Sequence, residues 1–175
     1  MANTFKQISS VVAGSGGVTD ILFTSIPQVY DDLIIYLNLK TNTSGRVSDN
    51  PTLRFNGDTN ISNYAGRIQR GNGSTVSGGS SSGYNGLYVA EVGAGSTPSG
   101  YYTPIRVYIP NYISGNRKAV SFHSAHERFA TEAYLQLGSG LYITTSPITS
   151  ISIINHQGGN FLEGSSAYLY GISNS

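Results

Sequence analysis

Hydrophobic and polar positions alternate along much of this chain. In DLIIYLNLK, Leu33, Ile35, Leu37 and Leu39 fall on one side of an extended backbone, and Ile34, Tyr36, Asn38 and Lys40 fall on the other. In PIRVYIP, Ile105, Val107 and Ile109 oppose Arg106 and Tyr108, with Pro104 and Pro110 near the ends. SISII and AYLYGI repeat the period more loosely. Burying one such aliphatic side chain stabilises a fold by about 1.5–3 kcal/mol, so the Leu33–Leu39 strand is expected to anchor the core.

Turn signals separate the runs. They include GSGG at 14–17, IPQ at 26–28, NTSGR at 42–46, NGD at 56–58, SGN at 114–116 and QGGN at 157–160. The pattern predicts strands over 4–12, 19–25, 32–41, 52–56, 62–69, 86–92, 101–109, 118–126, 133–142, 148–155 and 165–172. Short strands in this number, divided by turns, predict an all-β chain. The expected fold is a single-domain antiparallel β-sandwich, jelly-roll-like rather than immunoglobulin-like. GNGSTVSGGSSSG at 71–83 and GAGSTPSG at 93–100 have little to bury and are expected as exposed, flexible loops.

Composition supports this picture. The 175 residues suit one domain over 1–175, able to bury roughly 70% of its extended-chain surface. Twenty-two glycines and thirteen tyrosines favour turns and strands over helices. The absence of cysteine excludes disulfides and thiolate metal sites. Only 11% of residues are charged and the net charge is +1, so nucleic acid is not an expected partner. MANTFKQISS does not read as a signal peptide, and LIIYL is too short to span a bilayer. A soluble chain made in the cytoplasm, with no membrane partner, is expected.

Candidate chemistry is sparse. Asp58, Asn60 and Ser62 occupy the first three ligand positions of an EF-hand loop, but Asn63 and Gln69 stand where its glycine and bidentate glutamate belong. The better reading is a corner. Asn56-Gly57 tolerates positive φ, and the Asp58 side chain can bond nearby backbone. His123 and His126, followed by Glu127 in FHSAHERF, are three apart on a predicted strand and so point to opposite faces. They are expected as ordinary surface or interface histidines, and His156 precedes a Gly-Gly turn. No GxSxG elbow, phosphate loop or paired carboxylates in a recognisable setting occur. The sequons at Asn42, Asn60 and Asn72 are those a Ser/Thr-rich chain produces by chance. No catalytic residue, metal or cofactor is expected. Tyr84, Tyr88, Tyr101, Tyr102, Tyr108 and Tyr112 cluster in the middle third and are the expected partner-contact residues, with packing as the competing role. Sugar stacking would suit the same side chains.

The ordered set TFKQISSV, FTSIPQVYDDLIIYLNL, LRFNGDTNISNY, IPNYISGNRKAVSF, ITSISI and GSSAYLYGIS resembles a family of small tailed-bacteriophage proteins, many marine or cyanobacterial, regarded as virion structural proteins. The likeness covers most of the chain and weakens between Arg70 and Ser99. This chain reads NGDTNISNY where family members often read NGDTGSNY. The resemblance implies a β-sandwich on the outside of a virus particle and carries over no catalytic residues. The expected role is a non-enzymatic capsid decoration or cement protein, a homotrimer that binds the major capsid protein or other virion proteins, with a sheet edge at 4–12 or 165–172 free to pair. The alternative is a tail-fibre or tail-spike module that binds host surface glycan. A glycan hydrolase, needing two acids about 5–9.5 Å apart, has no sequence signal in its favour.

Overall fold

The computed structural model describes residues 4–81, 83–127 and 133–173. Among these, the strands are β1 (Phe5–Val12), β2 (Asp20–Phe23), β3 (Asp32–Leu39), β4 (Ser48–Asp49), β5 (Pro51–Phe55), β6 (Tyr64–Gly71) and β7 (Val76–Ser80). They continue with β8 (Leu87–Tyr88), β9 (Val92–Gly93), β10 (Thr103–Ile109), β11 (Lys118–His126), β12 (Tyr134–Tyr142), β13 (Ile151–Asn155) and β14 (Ser166–Ile172). A single 3₁₀ turn, Ile61–Asn63, is the only helical element among the described residues. The fold is an all-β sandwich.

The strands pair antiparallel in an eight-stranded sheet ordered β1-β14-β3-β10-β11-β12-β6-β7, a four-stranded sheet ordered β2-β13-β5-β8, and a small β4-β9 ribbon. The first four strands of the large sheet and all of the four-stranded sheet follow jelly-roll order. β1 pairs with β14, β2 with β13, β3 with β10, and β5 with β8, like one long hairpin rolled up on itself. β11, β12, β6 and β7 extend the large sheet beyond that unit.

Alternation decides which face is buried. Leu33, Ile35, Leu37 and Leu39 of β3 pack with Ile105, Val107 and Ile109 of β10 and Leu169 of β14 against Ile21 and Phe23, Leu53 and Phe55, and Ile151 and Ile153 from the other sheet. The large sheet is wider than the small one and curls round it. β1 lies against β2 at one side, and β6 and β12 lie against β8 at the other. Glycine makes the second closure possible. A Cβ on Gly140 would sit 2.2 Å from the Leu87 side chain, and one on Gly138 would sit 2.0 Å from the Phe122 ring. With hydrogen there instead, Leu87 and Phe122 come down onto the sheet.

Four expectations change. The stretch 71–83, expected as a loop, carries β7, which pairs with β6 from Arg67↔Ser80 to Gly71↔Val76. Its residues are exposed, as their composition requires, but backbone bonds to β6 need no apolar side chain. The stretch 93–100 is tied down. Ala94, Gly95 and Ser96 donate backbone bonds to Val47, Thr43 and Arg46, and the buried Lys40 ammonium donates to Thr97 O and Pro98 O at 3.0 and 2.6 Å. Lys40 therefore does not project into solvent as alternation implied. β14 is no free edge, since β1 and β3 flank it. The N-terminal strand β1 is the edge on that side.

Candidate functional site

The Asn56-Gly57 corner is built as the sequence predicts. Both residues have positive φ (54° and 69°), and Asp58 N donates to Phe55 O at 2.9 Å. The Asn56 amide reaches across the chain, donating to Pro147 O and accepting from Thr149 N and Ser150 N. The Asp58 carboxylate is taken up by Asn60 N at 2.8 Å, Asn63 Nδ2 at 2.6 Å and the Tyr142 hydroxyl at 3.1 Å. Desolvation pushes its pKa up, but the donors Asn63, Asn60 and Tyr142 together outweigh this and hold it below its ordinary value. Tyr64, stacked on Tyr142, donates to Asp58 O and accepts from Phe55 N. These groups lock the β5–β6 connection, and the carboxylate oxygens face protein donors. Among the described residues, no three His, Cys, Asp or Glu gather where a metal ion could be held.

β11 separates the two histidines as strand geometry requires. His123 is exposed, while His126 is buried, with Nδ1 3.4 Å from Glu91 O and its ring edge-on to Tyr134. His126 is thus an interior residue, not the surface or interface histidine expected. Arg128 and Phe129 of the same motif lie outside the described residues.

The six expected contact tyrosines divide. Tyr88 and Tyr112 belong to the core and are not available to a partner (3% and 0% exposed). Each points a hydroxyl at an internal partner: Tyr112 at Pro27 O, and Tyr88 at Gln136 Nε2. Tyr84, Tyr101, Tyr102 and Tyr108 are half-buried. Tyr102 donates to Glu163 O, and Tyr108 donates to Asp32 Oδ2 at 2.7 Å. That bond, with burial behind it, raises the Tyr108 pKa.

A different set of aromatics lines the outward face of the large sheet. Tyr36 of β3 stands beside Tyr168 and Arg106 in register. Phe5 stacks on Tyr170 with centroids 4.6 Å apart, and Tyr36 meets Tyr170 edge-on. Farther across, Arg106 pairs with His123, His123 with Leu137, and Leu137 with Gln69. Leu135 and Leu137 are strongly exposed. Period-two alternation in AYLYGI was the signal for Tyr168 and Tyr170. Leu135 and Leu137 lie on β12, in a segment whose inward positions include glycines, so neither face announces itself as the core.

On the inward side of the same sheet, at its β6–β7 end, a cleft of about 330 Å3 opens between the two sheets. Inward residues Ile68 and Arg70 of β6 and Ser77, Gly79 and Ser81 in and after β7 form one wall; Asn50, Tyr84, Tyr88 and Glu91 form the other. Arg70 Nη1 contacts Glu91 Oε1 at 2.6 Å, and the guanidinium lies over the Tyr134 ring at 5.0 Å. Gln136 holds the opposite wall in place, accepting from Glu91 N and Ser124 Oγ and donating to the Tyr88 hydroxyl. Burial, then the Glu91 charge, pushes the Tyr88 pKa up, keeping that hydroxyl protonated. Compared with known proteins, the chain matches no family model, and a search of curated proteins returns no match.

Proposed function

We propose that this chain is a non-enzymatic structural protein of a tailed-bacteriophage virion, a decoration or cement module that docks as a homotrimer on the outside of the capsid. It is made in the host cytoplasm and incorporated into the particle. The supporting observation is the outward face of the eight-stranded sheet. It is broad, and it carries Tyr36, Tyr168, Tyr170, Leu135 and Leu137 with few full charges. Hydroxyl-bearing aromatics and exposed leucines are the composition of an adhesive surface. Asp32, Asp49 and Asp58 serve the fold. Asp32 accepts from Tyr108, Asp49 from Thr41, Thr43 and Asn155, and Asp58 from its own corner. The bacteriophage assignment rests on the ordered sequence resemblance, and the sandwich suits that setting.

Cosedimentation of the purified chain with capsid shells lacking it tests the docking. Binding that persists as salt rises, and that is lost on Leu137→Glu, is expected, because a face with few charges depends little on screening. Loss of binding at modest salt, or electron-microscopy density at the tail tip instead of on the shell, would overturn the proposal. Tail-tip density would select the receptor-binding reading.

A further inference from the structure

We infer that the cleft between β6–β7 and β8 is a binding site for a neutral sugar unit of a glycan. It lies on the inward side of the large sheet and does not use the outward docking face. Its volume, about 330 Å3, is at the small end of ligand sites, which run from roughly 300 to 1,000 Å3.

The lining has the chemistry of saccharide recognition. A pyranose presents hydroxyls, each both donor and acceptor, around an apolar C–H face. Tyr84, half-buried and packed on Tyr88 with centroids 5.5 Å apart, supplies aromatic wall. Arg70 and Glu91 supply donors beside an acceptor, the pair that a vicinal diol bridges. Asn50 adds an amide, already oriented by its bond to the Tyr84 hydroxyl at 3.2 Å. The cation and anion pair with each other, so a neutral ligand is favoured over a charged one.

A second observation points to a ligand independently. Ser81 lines the cleft and is only 4% exposed, yet its hydroxyl has no hydrogen-bond partner among the described residues. The oxygen rests against Gly66, and a turn about the Ser81 Cα–Cβ bond would bring it to a bound hydroxyl, relieving the cost of about 1–3 kcal/mol that an unpaired buried hydroxyl carries. The backbone leaves room for it. β7 runs Ser-Gly-Gly-Ser opposite Arg70 to Arg67, and Gly79, opposite Ile68, brings no side chain into the opening.

A glycan array carrying neutral hexose-terminated and sialylated oligosaccharides tests the site, followed by calorimetric titration of the strongest hit. Binding to neutral structures is expected. Tyr84→Ala and Ser77→Leu should each weaken it at least tenfold. Ser77 is exposed on an edge strand, so its replacement leaves the fold intact, and circular dichroism checks this. Leu22→Thr, on the outward side of β2 and away from the cleft, should leave binding unchanged. No glycan bound above background, binding confined to sialylated structures, or binding indifferent to both cleft variants would each overturn the inference. Shell cosedimentation reads the docking face separately, so the two proposals fail independently.

Discussion

Two parts of the large sheet reach the same goal, a closed sandwich, by opposite means. At its centre, β3 and β10 fill the space between the sheets with Leu33, Ile35, Leu37, Leu39, Ile105, Val107 and Ile109. At the β12–β6 side, Gly138, Gly140 and Gly66 empty the inward face, so that Phe122 and Leu87 come down onto it. The polar groups Gln136, Ser124, His126 and Arg70 follow around them. The centre is held by apolar area and the side by shape and hydrogen bonds. Between the sheets, the second leaves the cleft lined by Arg70, Glu91 and Tyr84.

The largest expected effect sets the two against each other directly. Ile35→Ala should cost about 2–5 kcal/mol in urea unfolding, as for any fully buried aliphatic residue. Ile68→Ala, half-buried in the cleft wall, should cost well under half as much. Equal losses would mean that the cleft is core and that the distinction fails. Next, Gly138→Val should cost about 1–3 kcal/mol by pressing on Phe122, and the double variant Gly138→Val/Phe122→Leu should recover part of it. Recovery would tie the glycine to that ring; its absence would point to the backbone.

Alkaline sensitivity should belong to the β12–β6 side. Desolvation, the leading cause for each, raises the pKa values of Tyr64, Tyr88 and Tyr142 there, and of Tyr112 elsewhere. A tyrosine whose folded pKa exceeds its unfolded value of about 10 contributes fully below that pH. As pH rises past it, the unfolded chain loses protons that the folded chain keeps, and stability falls. Lys40 and Lys118, whose pKa values burial lowers, act in the opposite sense, since there the unfolded chain holds the proton longer. With more tyrosines than lysines involved, the urea midpoint should fall above about pH 10, and Tyr88→Phe should flatten the decline. The smallest effect is at Arg70. Arg70→Met should change stability by less than about 1 kcal/mol, because its pair with Glu91 is partly exposed, while cutting glycan binding. A larger stability loss would recast the ion pair as structural.

Much of the frame was legible in the chain. The strand expected over 118–126 matches β11, and its alternation placed His123 and His126 on opposite faces. Asn56-Gly57 named its own turn. The cleft was not legible, because its walls come from residues between Asn50 and Glu91 whose partners are set by strand order. Of the tyrosines expected to meet a partner, Tyr84 stands half-buried in the cleft wall, while Tyr88 and Tyr112 are enclosed, and nothing in their local sequence separates them. Asp49 gave no signal. It is fully buried, bonded to Thr43 Oγ1 at 2.5 Å and Asn155 Nδ2 at 2.8 Å, the latter more than a hundred residues away.

What the sequence by itself determined is sidedness: which residues of a strand share a face, and where the chain can reverse. Those follow from backbone geometry within a few residues, and no distant partner is needed. Tertiary structure alone decided the rolled pairing of first strand with last, the recruitment of a Gly/Ser stretch as an edge strand, and which tyrosines were enclosed. These depend on backbone hydrogen bonds, which every residue but proline can both donate and accept, and on the space left by glycines two strands away.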